Sequence, residues 1–248
     1  MALKENRVKQ LNKGLISLED YLEHRRQLIM SWWGGTGIGK TFLLLSAPKP
    51  IYLMSYEPDG PYWALKKAYE DGLIFAGDVI VDEVVKSVMG ENPTVYRDFD
   101  EQEEVYRYSQ DQIENIISNK ANANGTLAID TGTTYWSITD EIEGEEIRAK
   151  REKQGKELFR FDYRYANKAF KQMVDAVRAS KMNAIFTHHD APVYNSKGNE
   201  TKRRKYAGNK ELPELVDVSF HFTLDPAELD SDGSVVEDAV RYATIDKC

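Results

Sequence analysis

The sequence reads Ser31-Trp32-Trp33-Gly34-Gly35-Thr36-Gly37-Ile38-Gly39-Lys40-Thr41 near its N-terminus. From Gly34 onward this segment follows G-x-x-x-x-G-K-T, the pattern of a phosphate-binding P-loop. The mostly apolar residues 28–33 before the loop predict a buried strand, and residues 41–45 after it predict a helix. The alternative is a glycine-rich turn in another α/β fold, but strand, loop, Lys-Thr and helix stand in the order that a P-loop requires.

The loop is expected to bind ATP together with Mg²⁺. Its glycines permit backbone angles that other residues avoid, so that successive N–H groups point at phosphate oxygens. Lys40 would reach the β- and γ-phosphates, and the hydroxyl of Thr41 would bind Mg²⁺. The residues of the loop predicted to contact the nucleotide are Gly34, Gly35, Thr36, Gly37, Ile38, Gly39, Lys40, Thr41 and Phe42.

The composition of the 248 residues, 41% hydrophobic and 30% charged, suits one large α/β domain. We expect a polar tail with a short helix over residues 1–26 and the domain itself over 27–248. No apolar stretch approaches membrane-spanning length, the N-terminus lacks a signal-peptide core, and the single cysteine is Cys248, which together indicate a cytoplasmic protein without a membrane anchor. The net charge of −8 argues against a uniformly basic DNA-coating protein, but it allows a local basic site.

Two acidic residues follow predicted strands, at the edge where parallel sheets bind ligands. Residues 126–129 are all able to lie in a buried strand and lead into Asp130, the Walker B arrangement, whose carboxylate would hold Mg²⁺. Thr131 rather than a second acid follows Asp130, so the carboxylate that activates water must come from elsewhere in the chain. Glu57, after the apolar run 51–56, is the candidate for this catalytic role. Glu57 could instead simply end its strand or cap the next helix.

A third predicted strand, residues 183–187, ends at Thr187 and His188, which are candidates for contact with the γ-phosphate. The cluster His188-His189-Asp190 could alternatively indicate a metal site. Adjacent residues of a strand face opposite ways, however, and no cysteine accompanies the histidines, so we expect no metal there.

Periodicity and turn residues predict the remaining elements. These are a strand over 77–81 and 84–85, a helix over 108–120, a long mobile loop plus a surface helix over 132–162, a helix over 165–177, and a hairpin of strands 216–222 and 239–245.

Residues 194–211 predict a basic loop, with six basic and two acidic residues and therefore a net charge of +4 in an acidic protein. Local positive charge of this kind favours contact with a phosphate backbone, and Tyr206 could stack on an exposed base. The alternative is a solvated charged loop. The candidates for nucleic-acid binding are Lys202, Arg203, Arg204, Lys205 and Tyr206.

The order of these segments over residues 27–247 resembles the RecA-like ATPase core, and most of all the compact phage-encoded RecA-like ATPases linked to recombination and single-strand annealing. The resemblance implies an α/β fold with a central, mostly parallel sheet, flanking helices and a C-terminal antiparallel hairpin. It also implies that Glu57 is the catalytic glutamate, that Thr187 and His188 form the nucleotide sensor, and that Lys247 reaches the nucleotide of a neighbouring subunit. In the same family, the segments corresponding to 132–160 and 190–211 are the two DNA-binding loops.

These observations predict an ATPase that couples ATP hydrolysis to single-stranded DNA binding in phage recombination or replication.

 The protein is expected to act as a homo-oligomer in the host cytoplasm, because in the family a cation from one subunit completes the nucleotide site of the next. The alternative is a DNA-annealing or scaffold protein in which ATP only stabilises the oligomer. A P-loop kinase or a packaging motor fits less well, since the sequence shows no kinase lid or acceptor site and no Glu after Asp130.

Overall fold

The computed structural model describes residues 27–90, 98–156, 163–194, 200–225, 228–229, 235–237 and 240–247. The tail predicted over residues 1–26, with its short helix, lies outside the described residues. The side chains of Lys202, Arg203 and Lys247 also lie outside the description, although their backbones belong to strands.

Eleven strands are present in the described residues, and seven of them form one sheet. The strands are β1 (Ile29–Gly34), β2 (Ile51–Ser55), β3 (Val79–Glu83), β4 (Thr126–Asp130), β5 (Asn183–His188), β6 (Asp190–Tyr194), β7 (Glu200–Tyr206), β8 (Val218–Asp225), β9 (Glu228–Leu229), β10 (Val235–Glu237) and β11 (Val240–Lys247).

The order of the large sheet is β11-β8-β1-β5-β4-β2-β3. All neighbouring pairs in it are parallel except β8 and β11, which form the antiparallel pair predicted for the C-terminal part of the chain. The strands β6 and β7 pair antiparallel in a separate two-stranded sheet, and β9 pairs with β10 in another. The predicted α/β fold with a mostly parallel central sheet is therefore confirmed.

Seven α-helices connect the strands in the described part of the chain. They are α1 (Lys40–Leu44), α2 (Tyr62–Glu70), α3 (Val84–Met89), α4 (Phe99–Ser118), α5 (Gly132–Lys153), α6 (Arg164–Ala179) and α7 (Leu212–Leu215). Within the same residues, no helix is both long and apolar enough to cross a membrane.

Hydrophobic cores lie on both faces of the large sheet, as its almost continuous apolar strands require. In β4, Leu127 and Ile129 belong to the core that also contains Phe170 of α6, whereas Ala128 belongs to the core that contains Leu44 of α1. This division follows from the alternation of side chains along a strand. The helix predicted over 165–177 is confirmed as α6, whose buried residues are Ala166, Phe170, Met173, Val174 and Val177.

Three predictions of local structure are wrong. Val84 and Val85 begin the helix α3 instead of continuing a strand, and both are buried. Of the long loop plus surface helix predicted over 132–162, residues Gly132–Lys153 form one continuous helix, α5, of 22 residues, and residues 157–162 lie outside the description. The inward side chains of α5 include Tyr135 and Ile138, which are 1% and 2% exposed, and the dense surrounding charge hides this short apolar face in the sequence. The third error, the basic loop, is described with the functional site.

Candidate nucleotide-binding site

The P-loop lies between β1 and α1 at the carboxyl edge of the large sheet. Gly39 directly precedes the helix and has a φ of 93°, a left-handed conformation that favours glycine. Gly34 ends β1 so close to β8 that a Cβ atom there would collide with the carbonyl oxygen of Phe222. The two glycines therefore permit the turn of the loop and its contact with the neighbouring strand.

Lys40 is folded back onto its own loop. Its Nζ donates to the carbonyl oxygens of Gly34 at 2.9 Å and Gly35 at 2.8 Å, and the residue is only 7% exposed. Burial lowers the pKa of Lys40, while the negative charges of Asp130 and other nearby carboxylates oppose that shift. The ammonium group is thus held at the centre of the loop, where phosphate oxygens could replace the two carbonyls as its partners.

Asp130 ends β4 next to the loop, and two hydroxyl groups hold its carboxylate. Thr41 Oγ1 donates to Asp130 Oδ2 at 2.8 Å, and Thr187 Oγ1 donates to Oδ1. Burial raises the pKa of Asp130, and the two hydrogen bonds oppose this effect by stabilising the ionised form. A carboxylate and a hydroxyl side by side are hard oxygen ligands, so this pair suits Mg²⁺.

Glu57 lies two residues beyond the end of β2, on the side of the site that faces Lys40. Its Oε1 is 2.6 Å from Nε2 of His189. This hydrogen bond lowers the pKa of Glu57, and the charge of Lys40 acts in the same direction, whereas burial opposes both. Glu57 is therefore ionised at neutral pH and could accept a proton.

His189 was not among the residues predicted for the site. Besides its contact with Glu57, its Nδ1 lies 3.4 Å from the hydroxyl of Thr36 in the P-loop, and its backbone N–H donates to Thr133 Oγ1 at 3.0 Å. Strand alternation could have identified it, because His189 shares the face of Thr187 two residues before it.

His188 lies apart from the group around Asp130. It is completely buried, and a Cβ atom on Gly132 or Gly208 would lie within 3 Å of its ring. The hydroxyl of Tyr206 is 3.0 Å from His188 Nε2. Burial lowers the pKa of His188 to about 3, so the ring is neutral at physiological pH. Of the two predicted sensor residues, only Thr187 contacts the Asp130 carboxylate.

The basic segment is a β-hairpin of β6 and β7, which corrects the prediction of a loop; residues 195–199 lie outside the description. Arg204 forms two ion pairs, one from Nη1 to Oε1 of Glu200 at 3.4 Å and one from Nε to Oδ2 of Asp190 at 3.9 Å. Lys205 is exposed. Tyr206 packs its ring edge-on against Trp33 and beside His188, so the prediction that it stacks on an exposed base does not fit its position.

Lys247 belongs to β11 and pairs in register with Ser219 of β8. The contact of Lys247 with the nucleotide of a neighbouring subunit remains a prediction. Of the other predicted loop residues, Thr36, Gly37 and Phe42 are exposed, and Ile38 is buried beneath the loop at 7% exposure.

Comparisons with known proteins concern the family and the fold. No curated protein matches the sequence. One similar solved structure is described as a prototypical ATPase from the type III secretion system of pathogenic bacteria, with 13% identity and a TM-score of 0.39. The match covers 79% of this chain and 52% of that one, so this chain spans about half the length of the secretion-system ATPase. A family model described as AAA domain matches residues 26–245. That match covers most of the sequence and includes the P-loop and Asp130, so this chain belongs to the AAA domain family of P-loop ATPases.

Proposed function

We propose that the protein binds ATP with Mg²⁺ and hydrolyses it to ADP and phosphate. The observation that carries this proposal is the convergence of Lys40, Thr41, Asp130 and Glu57 at the carboxyl ends of β1, β4 and β2. A phosphate-binding cation, a metal-binding pair and an ionised carboxylate are the groups that hydrolysis of a phosphoanhydride requires.

Each residue has a distinct role. Lys40 would exchange the carbonyls of Gly34 and Gly35 for oxygens of the β- and γ-phosphates. Thr41 and Asp130 would hold Mg²⁺, which neutralises phosphate charge when it is bound. Glu57 would accept the proton of the attacking water while the bond between the γ-phosphorus and the bridging oxygen breaks.

His189 serves as a positioning residue in this scheme. Its bond to Oε1 fixes the orientation of the Glu57 carboxylate and leaves Oε2 to meet the water. The contact of His189 with Thr36 ties that orientation to the P-loop.

Steady-state ATPase turnover, combined with titration of a fluorescent ATP analogue, tests the proposal. Lys40→Ala should weaken nucleotide binding and abolish turnover. Glu57→Gln should retain binding but lower kcat by a factor of about 10² to 10⁴, the usual contribution of a general base. Glu70→Gln is the matched control, because Glu70 is an exposed carboxylate on α2. Full turnover in either of the first two variants would overturn the assignment.

We further propose that nucleotide state is coupled to single-stranded DNA binding in phage recombination or replication, by a homo-oligomer. The support is the position of the basic strand β7 in a hairpin that begins at Asp190, directly after His189. Neutralising Arg203, Arg204 and Lys205 together should weaken single-strand affinity and flatten its dependence on salt. Binding that is unchanged at every salt concentration would exclude the hairpin as the DNA contact.

A further inference from the structure

The antiparallel pair of β8 and β11 extends past the start of the P-loop. Gly34 is in register with Phe222, whereas Arg241 of β11 pairs with Leu224, two residues further along β8. The side chain of Trp33 reaches across to β11, where its Nε1 donates to Asp246 Oδ2 at 2.7 Å. This bond ties the C-terminal part of β11 to the strand that carries the loop.

Arg241 lies directly over the P-loop. A Cβ atom built on Gly39 would be 3.8 Å from both Cδ and Nε of Arg241, which is ordinary van der Waals distance. The residue is exposed, and no carboxylate of the described residues forms an ion pair with it. Its guanidinium group is therefore available to a ligand that enters the loop.

The strand order determines which part of the ligand Arg241 would meet. Asp130 and Glu57 follow β4 and β2, on one side of β1, whereas Arg241 comes from β11 on the other side. The phosphate that reacts must lie near Asp130 and Glu57. The remainder of the nucleotide then extends along the loop towards Arg241.

We propose that Arg241 is a nucleotide-binding residue that pairs with the phosphates next to the nucleoside, the α- and β-phosphates, within the same chain. This inference rests on the proposed ATP binding at the P-loop. Arg suits the role because its planar, always charged guanidinium group binds phosphate oxygens through paired hydrogen bonds. Since ADP and ATP share these two phosphates, Arg241 contributes to the affinity for both nucleotides and leaves the chemical step unaffected.

The test compares Arg241→Gln, Arg241→Lys and the control Arg107→Gln, whose arginine lies on the exposed surface of α4. Titrations use fluorescent ATP and ADP analogues, with adenosine as a probe that lacks phosphate, and kcat and KM are measured for ATP. Arg241→Gln should raise the Kd for ATP and ADP about 5- to 30-fold, less than the loss of a buried charged contact would, because Arg241 is exposed and solvent weakens its attraction to phosphate. Adenosine binding and kcat should change less than about twofold, and Arg241→Lys should recover part of the affinity.

Three results would overturn the inference. Wild-type affinity for both nucleotides in Arg241→Gln, together with weakened binding in Lys40→Ala, would remove Arg241 from the site while the proposed function stands. A lower kcat with unchanged affinity would place the guanidinium group at the transferred phosphate instead. A wild-type protein that binds neither ATP nor ADP would overturn the proposed function as well.

Discussion

Replacing His188 with Asn should make the stability of the protein less dependent on pH. Burial holds the pKa of His188 at about 3 in the folded chain, against an ordinary value of 6.5. The unfolded state therefore binds a proton more readily than the folded state, and protonation favours unfolding. The stability that the neutral ring contributes is fully present above pH 6.5 and is lost progressively as the pH falls towards 3.

The size of the effect follows from the difference between the two pKa values. The neutral ring contributes about 5 kcal/mol to the free energy of unfolding, and this contribution is lost between pH 6.5 and pH 3 at about 1.4 kcal/mol for each pH unit. Between pH 7.5 and pH 4.5, the wild-type protein should lose about 3 kcal/mol more than His188→Asn, which has no proton to gain. Because the residue is completely buried, solvent does not screen this difference.

Urea unfolding followed by circular dichroism at pH 7.5, 6.5, 5.5 and 4.5 measures both free energies. Subtracting the free energy of unfolding of the variant from that of the wild type cancels the titration of the other groups, provided that both proteins unfold in two states. His188→Gln provides a second neutral amide if Asn fails to fold. A difference between wild type and variant that stays constant from pH 7.5 to pH 4.5 would refute the burial argument.

Three further predictions concern the same region. Thermal unfolding in the presence of ATP, at about 100 times the wild-type Kd, should show that ATP stabilises the wild type by about 2.7 kcal/mol. It should stabilise Lys40→Met by only about 0.3 to 1.4 kcal/mol, because the loss of the charged contact raises Kd roughly 10- to 150-fold. His189→Ala should lower kcat more than it changes KM, and His189→Gln should restore part of kcat, since its amide can donate to Glu57; equal kcat in all three proteins would contradict the positioning role. Phe170→Ala should lower the free energy of unfolding, measured in urea, by about 3 to 5 kcal/mol, because the ring of Phe170 is fully buried between α6 and the sheet.

The placement of Lys40, Thr41 and Asp130 was predictable because it depends on local patterns. An apolar run followed by a glycine-rich loop, and a second apolar run followed by an acid, place both groups at the same edge of a parallel sheet. The close contact between Thr41 and Asp130 then follows from the sheet, although the residues are 89 positions apart.

The helix α5 and the hairpin of β6 and β7 were not predictable in the same way. In α5, Tyr135, Ile138 and Ile142 supply a helical period, but charged residues dominate the following turns and conceal it. In β7, the neighbouring residues Arg204 and Lys205 are both exposed, so no alternation of apolar and polar residues marks the strand. Both elements take their structure from the partners they pack or pair with, which a local pattern does not reveal.

Three successive residues at the end of β5 contact different parts of the site. Thr187 donates to Asp130 and His189 contacts Glu57, whereas His188 between them points to the opposite side and packs against Tyr206 at the end of β7. The backbone continues the connection, because Ala207 N–H donates to the carbonyl oxygen of His189 at 3.1 Å and Thr133 Oγ1 donates to the carbonyl oxygen of Ala207. A displacement of His189 when phosphate enters the loop would therefore act on the hairpin through both its hydrogen bonds and the packed ring of His188. This arrangement gives a physical reason for expecting the basic hairpin to respond to the nucleotide.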